Sequence, residues 1–289
     1  MTRSLNPQSP GIRYQVNGIA LHCIEAGPED GPLVILLHGF PEFWWGWRYQ
    51  IGPLAEAGFR VLVPDQRGYN LSGKPEARRA YDLDTLAEDV VGLADALSRQ
   101  TFSLVGHDWG GLAAWWTASR HPDRVSKLGI LNAPHPSVAG AYMRAHPSQM
   151  MRSLYVGFFQ IPFLPETMLA ADGYRSLKDA LRRTSRPGTF SDEDIAHYEK
   201  AWSQPGALTA MLNWYRALPF KPAMKDATVR PPTLVIWGSK DRFLEKGLAE
   251  ASVALCEKGS VRWIENATHW VQHEEPEAVN AALVDFLKA

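Results

Sequence analysis

The chain opens with two short runs, residues 12–16 and 19–25, on either side of Asn17-Gly18. That dipeptide favours positive φ, so the pattern predicts a tight hairpin. Residues 33–37 are wholly apolar and run into His38-Gly39, as expected of a strand buried on both faces. Residues 59–63, mostly apolar, give the next such run after a helical segment ending near Gly58, and residues 102–105 the next strand. Between these, residues 83–98 place Leu86, Val90, Leu93 and Leu97 at helical spacing, and residues 112–120 continue as helix. Residues 125–131 add one more strand. Strand alternating with helix predicts an α/β fold, with a mostly parallel sheet covered on both faces.

The rhythm breaks at Pro134. From there to residue 228 the pattern is helical and rich in proline and aromatic residues, including Phe158-Phe159, Trp202, Trp214 and Tyr215. It resumes with strands at 233–237 and 261–264 and helices near 246–256 and 276–287. Residues 1–133 and 229–289 therefore form a core, and residues 134–228 an inserted helical cap. A length of 289 residues suits one domain with such an insertion, and no internal repeat or low-complexity tract suggests otherwise.

Composition narrows the partners. The 30 basic and 31 acidic residues give a net charge of −1 with no long run of one sign, which argues against a nucleic-acid footprint or an anionic-membrane patch. Cys23 and Cys256 have no metal-type spacing and read as free thiols in a reducing compartment. Residues 1–10 lack a signal-peptide pattern, and no window approaches the roughly 18 apolar residues of a spanning helix. The expected location is cytoplasmic. No motif implies a metal, nucleotide or redox cofactor, and a homodimer is left open.

The chemistry concentrates in Gly106-His107-Asp108-Trp109-Gly110-Gly111, between an apolar strand and a helix. Glycines two residues before and after Asp108 match the elbow on which α/β-hydrolases present a nucleophile. An aspartate could instead merely cap the helix, but the residues around it fit an active constellation. A serine displacing a group at saturated carbon would become an inert ether. A carboxylate becomes an ester, whose carbonyl water can attack. Asp108 thus points to substitution at sp³ carbon in two covalent steps.

The supporting groups follow chain order in that fold: nucleophile, acid, histidine. His38-Gly39-Phe40-Pro41 ends the early strand where a second oxyanion donor belongs, so the Phe40 and Trp109 N–H groups are the expected pair, with Pro41 a candidate cis residue. His269 is the expected base. His273, among Glu274-Glu275-Pro276, is its rival and is expected to be solvated. Asp241, after the strand at 233–237, is the expected acid, because the alternative position, Leu131-Asn132-Ala133, contains no carboxylate.

With these residues placed, the chain resembles the epoxide hydrolases of the α/β-hydrolase fold. The resemblance rests on His38-Gly39-Phe40-Pro41-Glu42, Asp65-Gln66-Arg67-Gly68-Tyr69-Asn70-Leu71-Ser72, the Asp108 elbow, Phe158-Phe159-Gln160-Ile161-Pro162, Ser203-Gln204-Pro205-Gly206-Ala207-Leu208 and Asn213-Trp214-Tyr215-Arg216. It implies that Tyr155 and Tyr215 hydrogen-bond the epoxide oxygen, a task suited to phenols because an alkoxide leaving group needs a proton. It implies that Glu42 places the hydrolytic water, that Asp65, Arg67 and His107 are structural, and that an apolar epoxide and water give a vicinal diol without a cofactor. A dehalogenase shares the elbow, Trp109 included, but cradles a halide that needs no proton. A ligand receptor on the same scaffold could dispense with Asp241 and His269.

Overall fold

The computed structural model describes residues 10–220, 224 and 226–289. The leader reading concerns residues 1–10, of which 1–9 lie outside this range. Eight strands form one sheet: β1 (Ile12–Val16), β2 (Ile19–Ala26), β3 (Leu33–Leu37), β4 (Arg60–Pro64), β5 (Phe102–His107), β6 (Val125–Leu131), β7 (Thr233–Gly238) and β8 (Gly259–Ile264). Their order is β1-β2-β4-β3-β5-β6-β7-β8. β2 pairs antiparallel with both β1 and β4, and β3 to β8 run parallel. The β1–β2 hairpin turns at Asn17 and Gly18, both at positive φ, and pairs Val16 with Ile19 as a two-residue loop requires.

β3 and β5 are buried at every position, which explains the wholly apolar composition of β3; in β5 the buried Ser103 and His107 find hydrogen-bond partners. The helices α1 (Arg48–Glu56), α2 (Leu83–Ala96), α3 (Asp108–Arg120), α10 (Lys246–Val253), α11 (Val271–Glu274) and α12 (Pro276–Lys288) cover the sheet, with α1 against α12 and α2 against α3. α10 stops before residue 256, the expected end, because Cys256 pairs with Val229 in a parallel bridge.

Between β6 and β7 the chain forms α4 (Pro136–Ala145), α5 (Pro147–Arg152), α6 (Leu154–Phe158), α7 (Leu164–Thr184), α8 (Asp192–Trp202) and α9 (Ala207–Arg216). Proline opens α4 and α5, where its missing N–H costs no hydrogen bond. α8 starts on a reciprocal Ser191–Asp194 capping box. α7 is broken at 171–174, where Asp172, Gly173 and Tyr174 take positive φ.

Strand order reverses around β3: β4 lies to one side and β5 to the other. In open parallel sheets a crevice forms at the carboxyl ends of the strands at such a point. Phe40, Asp108, Asn132, Asp241 and His269 all follow the carboxyl ends of strands, namely β3, β5, β6, β7 and β8. No helix among the described residues is long and apolar enough to cross a membrane.

Candidate active site

Asp108 sits at φ +50, outside the range most side chains favour, where β5 turns sharply into α3. The turn works only with small neighbours: a Cβ on Gly106 would lie 2.3 Å from the Gly110 carbonyl oxygen, and one on Gly110 would lie 2.2 Å from that of Leu37. Asp108 does not cap the helix. Its Oδ1 accepts the Phe40 N–H at 2.8 Å, and its Oδ2 lies 3.4 Å from His269 Nε2. The Phe40-Pro41 bond is cis. Trp109 supplies the next backbone N–H, in the first turn of α3, where helix donors lack intrahelical partners.

His269 Nδ1 donates to Asp241 Oδ2 at 2.8 Å. Asp241 Oδ1 accepts the Phe243 and Leu244 N–H groups at 2.7 and 3.0 Å. Burial opposes its charge, but His269 and these donors outweigh burial and lower its pKa. Burial likewise disfavours the imidazolium, yet Asp241 and Asp108 raise His269 to about 10. The resting histidine is therefore a cation held between two carboxylates. Any chemistry that neutralises Asp108 removes one of the charges holding that proton.

Tyr155 of α6 and Tyr215 of α9 face this group, their ring centroids 6.0 Å apart. Tyr215 packs edge-on against Phe40 and the Trp109 indole. Burial, then the Asp108 and Asp241 carboxylates, raise the Tyr155 phenol above its ordinary value; burial, then Tyr155 and Asp108, do the same for Tyr215. Both phenols thus stay protonated donors in the neutral range. Arg216, beside Tyr215, donates to the Phe159 and Ile161 carbonyls and pairs twice with Glu166, while Gln160 donates to the Tyr215 carbonyl at 2.9 Å.

Two cavities meet at Asp108, Tyr155 and Tyr215. One, of about 300 Å³, extends along Leu112, Met143, Val156 and Leu248; the other, of about 220 Å³, along Phe159, Leu177, Phe243 and Trp270. Their linings are mostly apolar.

His273 is a correction to the reading that left it in solvent, and Glu42 is packed against it. Both are buried. Glu42 Oε1 accepts from His273 Nε2 at 2.7 Å and Tyr198 Oη at 2.8 Å, and Oε2 accepts from Gln272 Nε2 at 3.2 Å. Arg48 can only donate, and it lies 2.9 Å from His273 Nδ1, so His273 is neutral with its proton on Nε2. Burial, more than its neighbours, keeps the His273 pKa low. Burial would raise that of Glu42, but His273 and His107 hold it well below the usual carboxylate range. Glu42 lines neither cavity. It lies at the rear of the elbow, 3.2 Å from His107 Nδ1, and His107 Nε2 in turn donates to the His269 carbonyl at 2.9 Å.

Two positioning residues escaped the sequence reading. Asn132, at φ +41, donates to Asp241 Oδ2 at 2.7 Å and accepts the Gly238 N–H at 2.8 Å; an amide at the alternative acid position was the available signal. Gln149 bonds the Phe243 carbonyl and the Glu245 N–H at 2.8 and 2.9 Å, tying α5 to the acid loop. No motif announces it. Among the described residues no three His, Cys, Asp or Glu side chains are placed to hold a metal ion.

Comparison with known proteins fits this geometry. Residues 32–276 match the family described as alpha/beta hydrolase fold. The chain is 47% identical over 282 residues to the AB hydrolase superfamily protein YfhM of Bacillus subtilis (strain 168), covering 96% of this chain and 99% of that one. It is 38% identical over 283 residues to human Epoxide hydrolase 4, covering 96% of this chain and 78% of the relative. The crystal structure of Bacillus megaterium epoxide hydrolase in complex with an inhibitor superposes with a TM-score of 0.88 at 30% identity, over 96% of this chain and all of that one. The chain belongs to the epoxide hydrolases of the α/β-hydrolase fold.

Proposed function

We propose that the chain hydrolyses an apolar epoxide to a vicinal diol through an ester on Asp108, with residues 134–228 serving as the cap over the site. The observation that carries this reading is the pair of protonated phenols, Tyr155 and Tyr215, facing Asp108 across a shared apolar space. A halide leaving group has no use for two phenols. An epoxide oxygen needs both the hydrogen bonds and a proton. Cavities on both sides of Asp108 suit a substrate with apolar substituents on each ring carbon.

In this mechanism Tyr155 and Tyr215 bind the epoxide oxygen while Asp108 Oδ2 attacks a ring carbon, breaking the C–O bond. The carbonyl oxygen of the resulting ester is Oδ1, already on the Phe40 N–H. Esterification removes the Asp108 charge, so the His269 pKa falls and its proton leaves to balance the alkoxide. Neutral His269, held by Asp241, then draws a proton from water attacking the Asp108 carbonyl. Phe40 and Trp109 N–H groups stabilise the oxyanion. On collapse the water's second proton passes from the tetrahedral hydroxyl to the departing oxygen, the original Oδ2, so the diol leaves, the carboxylate is restored and the first proton stays on His269. Proton and charge return to their starting places within one cycle.

Glu42, which lines neither cavity, acts in this reading on the hydrolytic step only indirectly, by supporting His107 and through it the His269 backbone. A cytoplasmic location rests on the two cysteines, both free thiols. The test is to incubate the protein separately with styrene oxide, a haloalkane and fluoroacetate and to assay diol and halide. Diol from styrene oxide is expected; halide release without diol contradicts the proposal.

A further inference from the structure

Seven of the ten large hydrophobic side chains exposed among the described residues fall in residues 150–168, the stretch that carries Tyr155. Leu164 and Met168 are four apart on α7 and share a face. Met151 and Leu154 are three apart across the junction of α5 and α6. Between these pairs stands Phe163, 82% exposed.

The backbone at Phe163 is unusual. Its φ is 64 and ψ −38, and the Leu164 N–H donates to the Pro162 carbonyl at 2.7 Å, so Phe163 is the apex of a γ-turn in its rare, strained form. The turn is fixed from below by Arg216, which holds the Ile161 carbonyl and the Glu166 carboxylate. A lone copy gains nothing by holding a strained aromatic in water.

We infer that this face is the contact between two copies of the chain, with Phe163 as its anchor. Two observations select a second copy. At roughly 200 Å² for a fully exposed large side chain, the seven residues present about 800 Å². That total is comparable with one side of a standard interface. Charge is the second. Residues 153–165 contain no Asp, Glu, Lys or Arg; the adjoining Arg152 is exposed but engaged within the chain, donating to the Asp241 carbonyl at 3.0 Å and lying 3.8 Å from Glu245 Oε1. An anionic bilayer would find no basic cluster in this stretch. A two-fold copy of the same surface meets no like charge there, and an exposed aromatic is a typical energetic centre of such contacts.

The interface would bear on the site, since Gln160 in the same turn region supports the Tyr215 backbone. Its test does not depend on the reaction. Sedimentation velocity on the full chain from 1 to 100 µM is expected to give a dimer. Phe163→Glu should weaken dimerisation at least about 30-fold. Phe163→Gly, which removes the aromatic and relaxes the positive φ, should weaken it while leaving the circular dichroism spectrum unchanged, so it serves if Phe163→Glu misfolds. A wild-type monomer throughout this range, a dimer indifferent to both substitutions, or a monomer that sediments with phosphatidylcholine vesicles would overturn the inference.

Discussion

The sheet edge and the helical insertion each bring reactive side chains to the same cavities, but they hold them differently. On the sheet side, Asp108, Asp241 and His269 each follow a strand end and are joined by short side-chain contacts. On the insertion side, Tyr155 and Tyr215 lie on short helices, and their neighbours are tied down by side chains gripping backbone: Gln149 on the 243–245 loop, Gln160 on Tyr215, Arg216 on 159 and 161. The contrast matches the division of labour proposed above. In that proposal the groups that form and cleave the ester are built on the sheet, and the groups that grip the epoxide oxygen are carried by the segment proposed as the cap.

The largest expected effect separates the two regions most sharply. His269→Gln removes the base but leaves Asp108 and both phenols, so ring opening should continue while turnover falls by roughly 10³-fold or more. Intact-protein mass spectrometry should find an adduct equal in mass to the epoxide. Epoxide consumption with no adduct would break the division.

Substitution on the insertion side should act on the other step. Tyr155→Phe and Tyr215→Phe are each expected to slow ester formation by about 10- to 100-fold, and more together. Ester hydrolysis, followed in single turnovers, should be nearly unchanged. Equal slowing of both steps would mean that the phenols do not act on the leaving oxygen.

The smallest effect concerns stability. His269 has a folded pKa of about 10, above the ordinary value of 6.5. Its favourable contribution is therefore full below about pH 6.5 and is lost as pH rises through about 10. Wild-type melting temperature should fall across that window, and His269→Gln should flatten the fall. A variant with an unchanged slope would place the alkaline loss elsewhere.

The same contrast explains what could be read from sequence. Strand ends in a parallel sheet have fixed chain order, so the places of Asp108, Asp241 and His269 follow from apolar runs and the residues just after them. Tyr155 and Tyr215 carry no such positional signal, and only resemblance to a family located them. The Glu42 cluster was less legible still. His273-Glu274-Glu275 looks like a solvated turn, yet His273 is buried by contacts to Arg48 and Glu42, more than 220 residues away in sequence. Glu274 is buried by the Thr268 N–H and hydroxyl. Polar residues that find their partners only in the folded chain look the same in sequence as polar residues in water.

The central claim is that Asp108, and not water, attacks the epoxide. A single turnover in H₂¹⁸O with enzyme in excess tests it directly. The account predicts an unlabelled diol and a gain of one ¹⁸O in the peptide containing Asp108, because the diol takes its new oxygen from the carboxylate and water replaces it. A first-turnover diol carrying ¹⁸O, with Asp108 unlabelled, would contradict it.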